Sequence, residues 1–260
     1  MFSGTVEHYC RYRPGIPAEV ADILVAVAPE YHPRRLLDIG TGTGLVIEAV
    51  LACFDDIIGI DPDADMLAAA EASLRPGVPP STRLAFQQCA AEELTPPNGW
   101  QAHLVTICRT FHWLDQPTVL RRLADQVTPD GAVAIFGDKS FWTTSNPWQT
   151  AVRGVVQEFL GSQRRAGNGM FRQHDRPYSE ILEDSAFDQV EQIRVPVQRE
   201  WSIETILGCL YSTSFAAPRL FGERLDEFEQ ALTQTLAEFS DDVFEEHNEF
   251  VIHIGRRSAR

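Results

Sequence analysis

A short apolar stretch that runs directly into three alternating glycines constrains the fold of this chain more than any other feature. Residues 35–39 (RLLDI) are typical of a buried strand, and residues 45–53 have the spacing of a helix. Between them lie Gly40, Gly42 and Gly44. Glycines at alternate positions allow a sharp strand-to-helix turn and let the backbone approach a ligand closely. The segment therefore predicts a strand, a ligand-binding loop and a helix, in that order.

The same alternation of apolar runs and helical patterns continues through the first half of the chain. Further strands are predicted at 56–60, 83–86, 104–108 and 132–136, and helices at 18–28, 63–74 and 116–127. Asp63 is expected to cap its helix, and a turn is expected at 128–131. Continuous apolar strands separated by helices are typical of a parallel sheet covered on both faces. The predicted fold class is α/β, a doubly wound and mostly parallel Rossmann-like sheet.

The pattern changes after residue 136, where aromatic residues and glycines accumulate. The simplest interpretation is a helical cap inserted after the fifth strand, over the open end of the sheet. Later elements are predicted as a strand at 190–201, helices at 202–212 and 222–239, and a last strand at 250–254. The expected organisation is a cofactor-binding core with an N-terminal lid at 1–137, a cap and substrate region at 138–215, and a C-terminal helix and strand at 216–260.

Composition argues against several classes of protein. The chain carries 22 Lys and Arg against 37 Asp and Glu, a formal net charge of −15, so nucleic-acid binding is not expected. Charges interrupt the apolar stretches well before 18 residues, and the N-terminus lacks a signal-peptide pattern, so neither membrane insertion nor export is expected. The five cysteines are scattered and odd in number, which is typical of reduced thiols. We therefore expect a cytoplasmic protein.

Two carboxylates accompany the glycine loop and indicate its ligand. Asp61 follows Gly40 by 21 residues, at the end of the second predicted strand, where a carboxylate can bind both ribose hydroxyls of an adenosine. The loop has the pattern GxGxG, whereas dinucleotide sites use GxGxxG. Asp38 precedes the first glycine by two residues, and its negative charge suits a cationic ligand without phosphate. S-adenosylmethionine, which carries a sulfonium and an ammonium, fits this loop better than NAD.

Five segments can be aligned, in order, with the motifs of one enzyme family. They are YxxYRP at 9–14, LLDIGTGTG at 36–44, GIDPDADML at 59–67, AEEL at 91–94 and FHWLD at 111–115. With these segments the chain resembles the class I S-adenosylmethionine-dependent methyltransferases, of the type-11 or trans-aconitate-methyltransferase-like group. The resemblance covers most of the chain and implies S-adenosylmethionine as cofactor and a small-molecule substrate. It is specific for the family but not for a substrate.

The resemblance also implies cofactor contacts for individual residues. Asp38 and the three glycines would hold the methionine part, and Asp61 would hold the ribose. Pro62 and the segment after the third strand would bracket the adenine, while the N-terminal tyrosines and Arg13 would cover the cofactor. The full set of expected cofactor-binding residues is Tyr9, Tyr12, Arg13, Asp38, Gly40, Thr41, Gly42, Gly44, Asp61, Pro62, Ala90, Ala91, Glu92 and Cys108.

Two residues after the fourth predicted strand are candidates for catalysis. His112 titrates near neutrality and could act as a general base, although a structural role beside Trp113 suits the sequence at least as well. Arg109 could hold a carboxylate acceptor through two parallel hydrogen bonds, or it could form an internal ion pair. Methyl transfer mainly requires an aligned nucleophile and the exclusion of water. A carboxylate or phenolate acceptor would need no strong base.

Aromatic residues after the fourth and fifth strands could line a pocket for an apolar or aromatic substrate. The alternative is that they form the core of the cap itself, and we expect both roles. The candidates for substrate contact are Trp113, Phe141, Trp142, Trp148 and Phe171.

Histidines and glutamates near the C-terminus could suggest a metal site. His247 and His253 lie near Glu245, Glu246 and Glu249, but their spacing matches no zinc pattern. We interpret the segment as an acidic helix end that runs into a strand, and no metal site is expected.

The sequence thus favours a methyltransferase that acts on a small molecule, with oxygen as the first choice of acceptor atom and nitrogen or carbon as alternatives. One rival is a protein of this fold that binds the cofactor but is repurposed for another reaction, such as a cyclisation. An NAD-dependent oxidoreductase is a further alternative, which the GxGxG spacing disfavours. The sequence does not distinguish a monomer from a homodimer.

Overall fold

The computed structural model describes residues 4–162, 165–166, 169–170, 176–240 and 242–258. Their strands are β1 (Arg35–Ile39), β2 (Asp56–Asp61), β3 (Arg83–Gln88), β4 (Ala102–Cys108), β5 (Val127–Asp138), β6 (Arg165–Ala166), β7 (Gly169–Met170), β8 (Gln189–Trp201) and β9 (Phe244–Arg256). Their α-helices are α1 (Val6–Tyr12), α2 (Ala18–Val27), α3 (Leu45–Val50), α4 (Ala64–Leu74), α5 (Gln116–Gln126), α6 (Pro147–Leu160), α7 (Tyr178–Glu183), α8 (Ile203–Tyr211) and α9 (Leu225–Ala237). Short 3₁₀ helices lie at Leu51–Cys53, Arg75–Gly77, Ala91–Glu93, Phe111–Trp113, Pro218–Leu220 and Gly222–Arg224.

The described strands form a seven-stranded sheet in the order β3-β2-β1-β4-β5-β9-β8, and β6 and β7 form a separate antiparallel pair. The strand pairs β1–β2, β1–β4, β2–β3 and β4–β5 are parallel. Leu36 and Leu37 of the interior strand β1 are fully buried. Because a strand covered on both faces needs apolar side chains at consecutive positions, RLLDI shows no alternation. The predicted doubly wound, mostly parallel α/β sheet is confirmed.

The helices of the first half begin close to the predicted positions. Asp63 caps α4 as expected, because its side chain accepts hydrogen bonds from the backbone N–H groups of Asp65 (3.1 Å) and Met66 (3.4 Å). The helix predicted over 45–53 is divided into α3 and the 3₁₀ turn Leu51–Cys53. Sequence patterns did not define α1, α6 or α7 as separate helices.

The turn expected at 128–131 is wrong, because these residues belong to β5. The pairing of β4 with β5 moves from Ala102–Val127 to Leu104–Ala132, so β5 contains extra residues that form a bulge. The residue types of Thr-Pro-Asp-Gly favour a turn. Because β5 pairs with β4 on both sides of this segment, the segment forms a bulge within the strand instead.

The acidic helix end expected before residue 250 is also wrong, because β9 already begins at Phe244. Phe244 and Glu246 are buried, while Glu245 and His247 are exposed, which is the alternation of a strand with one covered face. The carboxylate of Glu246 accepts hydrogen bonds from Arg199 (3.2 Å) and from the indole of Trp201 (2.9 Å). A buried glutamate with charged and polar partners explains why this strand has no apolar sequence pattern.

The chain forms two compact units, which we call the helical unit and the sheet unit. The helical unit comprises the described residues within Met1–Pro14, Asp138–Arg172 and Pro196–Glu249. The sheet unit comprises those within Gly15–Gly137, Gln173–Val195 and Phe250–Arg260. The three-part division at residues 137 and 215 stays a prediction.

Each unit has its own apolar core. In the sheet unit, β1, β2, β4 and β5 supply buried aliphatic side chains such as Ile39, Ile60 and Val105. In the helical unit, α9 packs against α6 and α8, and Phe228 and Leu232 of α9 are fully buried.

Candidate active site

The glycine loop after β1 has the conformation that its sequence predicts. Gly40, Gly42 and Gly44 have φ values of +69°, +53° and +89°, a region that glycine adopts at least cost. The backbone N–H groups of Gly40 and Thr41 both donate to the carbonyl of Ile60 at 2.9 Å. These bonds attach the loop to the end of β2, and α3 begins directly after Gly44.

Close packing fixes the same loop from outside. A side chain at Gly40 would collide with Thr110, with an added Cβ only 2.6 Å from its Oγ1 atom. A side chain at Gly44 would lie 2.6 Å from Leu74 Cδ1. Both glycines are therefore required for packing as well as for backbone conformation.

Asp38, the first carboxylate of the predicted site, is only 1% exposed. Its Oδ1 atom accepts a 2.7 Å hydrogen bond from the hydroxyl of Thr106, which lies opposite it in the β1–β4 register. Its Oδ2 atom has no hydrogen-bond partner of ordinary geometry among the described residues. Burial raises the pKa of Asp38 to about 6, with a smaller contribution from the charge of Asp61, while the Thr41 and Thr106 hydroxyls oppose this rise.

Two threonine hydroxyls of the loop, on Thr41 and Thr43, are also buried and make no hydrogen bond of ordinary geometry within the described part of the chain. Together with Oδ2 of Asp38 they make three buried polar oxygens without a hydrogen bond of ordinary geometry among the described residues. Because buried polar groups are normally hydrogen-bonded, these atoms indicate a place for a ligand that donates hydrogen bonds. An ammonium group, a donor without acceptor capacity, fits this set.

Asp61 ends β2 and is linked to the glycine loop. Its Oδ2 atom accepts the backbone N–H of Gly42 at 3.0 Å, and its Oδ1 atom accepts that of Asp63 at 2.9 Å. Burial raises the pKa of Asp61 more than these two N–H groups lower it. Each oxygen still has a lone pair for a further donor, such as a ribose hydroxyl.

The segment expected to bracket an adenine follows β3. Ala90 precedes the 3₁₀ turn Ala91–Glu93, and Ala91 is buried. The carboxylate of Glu92 accepts the backbone N–H of Asp115 at 2.7 Å. The side chain of Asp115 caps α5 by accepting the backbone N–H of Thr118. Glu92 therefore connects this segment to the start of that helix. Pro62 accepts a bond from Gln88 through its carbonyl (3.2 Å).

Arg109 has an unusual backbone conformation at the end of β4. Its φ is +55°, and among the described residues other than glycine it alone has a positive φ. Its backbone N–H donates to the carbonyl of Phe136 at 2.9 Å. Its side chain packs along Gly137, and its guanidinium carbon lies 5.3 Å from the ring centre of Phe250. A strained residue held in place by its surroundings often marks a functional position. Cys108, directly before it, is half-buried.

His112 and Trp113 lie in the 3₁₀ turn Phe111–Trp113, directly after β4. Their ring centres are 4.9 Å apart. Phe111 is buried and contacts Tyr178 edge to face, with ring centres 5.0 Å apart. The buried phenylalanine anchors the turn and leaves both neighbouring rings half-buried.

The sheet unit therefore brings most of the predicted site residues together. They follow the carboxyl ends of β1, β2, β3 and β4, which lie at one edge of the sheet because these strands are parallel. Ligands of open α/β sheets bind at this edge. The residues concerned are Asp38, Gly40, Thr41, Gly42, Gly44, Asp61, Pro62, Ala90, Ala91, Glu92, Cys108, Arg109, His112 and Trp113.

The remaining predicted residues belong to the helical unit or lie outside the described residues. The guanidinium carbon of Arg13 is 5.1 Å from the ring centre of Tyr9, and the Tyr12 hydroxyl donates to Glu204 at 2.9 Å. Phe141 and Trp148 are buried in the core of the helical unit, whereas Trp142 is half-buried and contacts Phe215. Phe171 lies outside the described residues.

Three further residues are placed at the candidate site and were missed by sequence reasoning: Thr43, whose loop hydroxyl is buried, Thr106 and Thr110. Thr106 binds Asp38, and Thr110 packs against Gly40 while its hydroxyl donates to the carbonyl of Cys108 at 3.0 Å. Only the register of β1 against β4 brings Thr106 beside Asp38. Thr110 could have been suggested by its position in the sequence, because it lies two residues after the end of β4 and between the candidate residues Arg109 and His112.

Within the described ranges, no group of three or more His, Cys, Asp or Glu side chains is arranged to hold a metal ion. Nor does any helix in this part of the chain have the length and apolar character needed to cross a membrane.

Together, a glycine loop, a buried carboxylate and a second carboxylate at the carboxyl edge of a doubly wound sheet define a protein that binds a cationic adenosine cofactor. Residues 36–131 match the sequence model of a family described as a methyltransferase domain. The match ends within β5, so it covers the glycine loop and both carboxylates.

Similar proteins carry the same description. The chain is 26% identical over 214 residues to an uncharacterized methyltransferase of Mycobacterium tuberculosis, across 82% of this chain and 76% of that protein. It is 26% identical over 197 residues to a malonyl-[acyl-carrier protein] O-methyltransferase of Halalkalibacterium halodurans, across 70% and 69% of the two chains. It is 31% identical over 115 residues to a trans-aconitate 2-methyltransferase of Rhizobium etli, across 43% and 41%.

A solved structure shares the fold. Phosphoethanolamine N-methyltransferase 2 of Haemonchus contortus, in complex with phosphomonomethylethanolamine and S-adenosylhomocysteine, gives a TM-score of 0.55 at 18% identity. The alignment covers 98% of this chain and 57% of that chain. Residues 36–131 therefore match a methyltransferase domain, and these findings support the predicted class I S-adenosylmethionine-dependent methyltransferase over the nicotinamide alternative.

Proposed function

We propose that the enzyme methylates an oxygen of a small-molecule acceptor, and that this oxygen belongs to a carboxylate. When bound, S-adenosylmethionine supplies an electrophilic methyl group on its sulfonium. The protein then has to hold a nucleophile in line with that methyl group and exclude water. A carboxylate is ionised at neutral pH, since its ordinary pKa is about 4, so it needs no base to become a nucleophile.

Arg109 is the observation that carries this proposal. It lies directly after β4, at the sheet edge that holds Asp38 and Asp61, and its backbone is kept at φ +55°. Its planar guanidinium can bind both oxygens of a carboxylate, which a lysine cannot do with the same geometry. The strained backbone is consistent with selection for the position of this side chain rather than for local stability.

The names of two relatives support a carboxylate acceptor. A malonyl-[acyl-carrier protein] O-methyltransferase and a trans-aconitate 2-methyltransferase are both named for acceptors that are carboxylic acids. Another relative, from Methylococcus capsulatus, is named as a ubiquinone biosynthesis O-methyltransferase, so a phenol is the second class of acceptor to test.

The cofactor roles follow from the geometry of the loop. We assign the ammonium of the cofactor to Asp38 and the hydroxyls of Thr41 and Thr43, and the ribose hydroxyls to Asp61. Ala90, Ala91 and Glu92 are assigned to the adenine side. In the sheet unit, the half-buried Trp113 is the candidate for acceptor contact. In the helical unit, Phe141 and Trp148 contribute to a core, whereas Trp142 is half-buried.

A labelled-methyl assay over a panel of acceptors tests the proposal. The panel contains mono- and dicarboxylic acids, phenols and amines, each incubated with cofactor labelled in its methyl group. Methyl esters release volatile methanol in dilute base, whereas methyl ethers and methylamines retain the label. We expect base-labile label with an acid. Base-stable label with a phenol or an amine as the only product would contradict the carboxylate assignment.

His112→Ala separates carboxylate from phenol chemistry in the same assay. For a carboxylate we expect turnover within about threefold of the parent, because no proton has to be removed. A loss of about 10²-fold or more, the size typical of a general base, would favour a phenol and a basic role for His112.

We also propose that the protein is cytoplasmic and does not bind nucleic acid. The five cysteines all lie in the described ranges and form no disulfide there, and the net charge of −15 repels phosphate backbones. Thiol titration of protein purified without reductant should yield unpaired cysteines; a disulfide-linked product would oppose this location.

A further inference from the structure

The side chain of Arg109 lies against two residues that come from later parts of the chain. Gly137 is the next-to-last residue of β5, and Phe250 lies in β9, the strand beside β5 in the sheet. All three residues belong to the sheet unit. Phe250 is fully buried, so the close packing of the core fixes its ring. Gly137 and Phe250 together form a fixed surface for the arginine side chain, which we call the Arg109 cradle.

Gly137 leaves room for the stem of Arg109. A Cβ atom at position 137 would lie 3.1 Å from Cγ of Arg109, which is closer than an ordinary contact between two carbon atoms. Gly137 does not have the positive φ of the loop glycines, so its backbone conformation does not require glycine. Glycine is unfavourable inside a strand unless another group approaches closely. The stem of Arg109 is such a group.

The ring of Phe250 contacts the other end of the same side chain. The guanidinium carbon of Arg109 is 5.3 Å from the centre of this ring, within the range of an attractive cation–π contact. The contact restricts the rotation of the guanidinium, whose N–H donors all lie in one plane. Because a carboxylate binds two of these donors in that plane, the ring limits the directions from which Arg109 can bind a carboxylate.

We infer that Phe250 and Gly137 are positioning residues that orient Arg109 toward a carboxylate acceptor and thereby set a preference for acids over phenols. The backbone of Arg109 at φ +55° gives the side chain its initial direction, Gly137 gives it room, and Phe250 limits its rotation. Phe250 is fully buried and therefore acts through Arg109 and not on the acceptor itself. This inference rests on the proposed function, because it takes Arg109 as the residue that binds the acceptor.

Phe250→Leu tests the inference, because leucine keeps the position apolar and removes the ring. Methyl transfer by the full-length protein is measured with benzoate, succinate and fumarate as carboxylate probes, and with phenol as a probe that lacks a carboxylate. We expect KM for the carboxylates to rise about 3- to 10-fold, the size of one cation–π contact, and kcat to stay within about threefold. The ratio of kcat/KM for benzoate to that for phenol should fall, and Kd for S-adenosylmethionine should stay within about twofold.

Phe187→Leu is the matched control. Phe187 is also fully buried in the sheet unit, and the guanidinium carbon of Arg257 lies 5.2 Å from its ring centre. Arg257 donates to the carbonyl of Val127 at 2.9 Å, which places this pair at the start of β5, whereas Gly137 lies near its end. The two substitutions remove the same ring and the same kind of contact. Only Phe250→Leu should change KM for the carboxylates.

Three further measurements separate positioning from a general loss of structure. Gly137→Ala should displace the Arg109 stem by a few tenths of an ångström and raise KM for the carboxylates without the loss of a ring. In the Arg109→Lys background, Phe250→Leu should change KM by less than about twofold, because the planar fork is absent. With isotopically labelled arginine, the Nε–Hε resonance of Arg109 is assigned by its loss in Arg109→Lys. It should move in Phe250→Leu, where the ring is removed, and not in Phe187→Leu.

Equal KM values for the carboxylates in Phe250→Leu and Phe187→Leu would overturn the inference. So would an Arg109 resonance that stays in place in Phe250→Leu, or an effect of Phe250→Leu that persists undiminished in the Arg109→Lys background. A parent protein that methylates phenol but none of the carboxylates is a different result. It would oppose the proposed function itself, and with it the acid preference that the cradle is inferred to set.

Discussion

The hydroxyl of Thr106 on β4 donates a 2.7 Å hydrogen bond to Oδ1 of Asp38 on β1, and the parallel register of the two strands places these residues side by side. The bond fixes the carboxylate and leaves Oδ2 buried without a partner among the described residues. Burial raises the pKa of Asp38 to about 6. Asp38 is therefore mostly charged at neutral pH, which lies about one unit above its pKa. Cofactor affinity and protein stability should both change with pH for this reason.

Cofactor affinity should depend on pH through Asp38. The charged carboxylate binds a cation, so affinity should be complete above about pH 7 and fall as Asp38 is protonated below about pH 6, by about tenfold per pH unit. Titration calorimetry between pH 5 and 7 measures this slope. The range stays below pH 7 because α-amino groups lose their proton at about 7.7–8.0. Asp38→Asn should bind weakly at all these values, and a flat profile in the parent would contradict the pairing.

The same residue should destabilise the protein without cofactor. Because its folded pKa of about 6 lies above the unfolded value of 3.8, the folded state binds more protons between these values. Stability should therefore fall as pH rises through this window, and the full cost should be present above about pH 6. Asp38→Asn, which keeps an acceptor for Thr106, should raise the free energy of unfolding at pH 7.5 by about 1–3 kcal/mol.

Urea denaturation without cofactor at pH 7.5 and pH 4.5 measures this effect. The advantage of Asp38→Asn should shrink at the lower pH, where the parent carboxyl is neutral. If the substitution destabilises the protein equally at both pH values, Asp38 serves the fold and not a ligand.

The sheet and the cofactor loop could be predicted because their signals are local. β1 and β4 are runs of apolar residues buried on both faces, and the glycines at 40, 42 and 44 specify a turn without reference to distant residues. The Thr106–Asp38 bond could not be predicted, since it depends on the register between strands 68 residues apart. The same holds for Thr110, which is identified only by its contact with Gly40.

The helical unit was less accessible to prediction because its strands contain buried charge. The Arg199 side chain lies 2.8 Å from the carboxylate of Asp138 and 3.2 Å from that of Glu246. In the sequence, a run of acidic residues favours an exposed helix. Glu246 is compatible with a buried strand position because Arg199, which is distant in the sequence, pairs with it. The first half of β9 was therefore interpreted wrongly.

Arg109 should be needed for turnover more than for folding. Arg109→Gly removes the backbone strain at φ +55°, worth about 1 kcal/mol or more, and also loses the ring contact with Phe250. The free energy of unfolding should therefore stay within about 1 kcal/mol of the parent. For a carboxylate acceptor, kcat/KM should fall about 10- to 100-fold, as expected for the loss of a charge-assisted pair of hydrogen bonds.

Arg109→Lys is the matched comparison, because it keeps the charge but not the planar fork. We expect it to recover less than half of the lost transition-state free energy. Equal loss of kcat/KM with acid and phenol acceptors would show that Arg109 does not recognise a carboxylate.

Gly40→Ala should destabilise the sheet unit through two separate effects. The residue has φ +69°, and the new methyl group would lie 2.6 Å from Thr110 Oγ1. We expect a loss of about 2–4 kcal/mol in urea denaturation. Thr110→Ala in the same chain should restore only a part of the steric loss, because the Cβ atom that it keeps is 2.8 Å from the new methyl group, and should leave the backbone part. Gly154→Ala, at a helical position with nothing within 4 Å, should be neutral or stabilising and serves as control.

Glu246 should contribute strongly to the stability of the helical unit, in contrast to its exposed neighbour Glu245. Its carboxylate is buried and accepts bonds from Trp201 (2.9 Å), Asn248 (2.8 Å), Gln149 (3.2 Å) and Arg199 (3.2 Å). Glu246→Ala leaves these donors buried without their acceptor and should cost about 3–5 kcal/mol. Glu245→Ala should change the free energy of unfolding by less than about 0.5 kcal/mol. Equal effects in urea denaturation would mean that water replaces the missing carboxylate and that the network does not stabilise the unit.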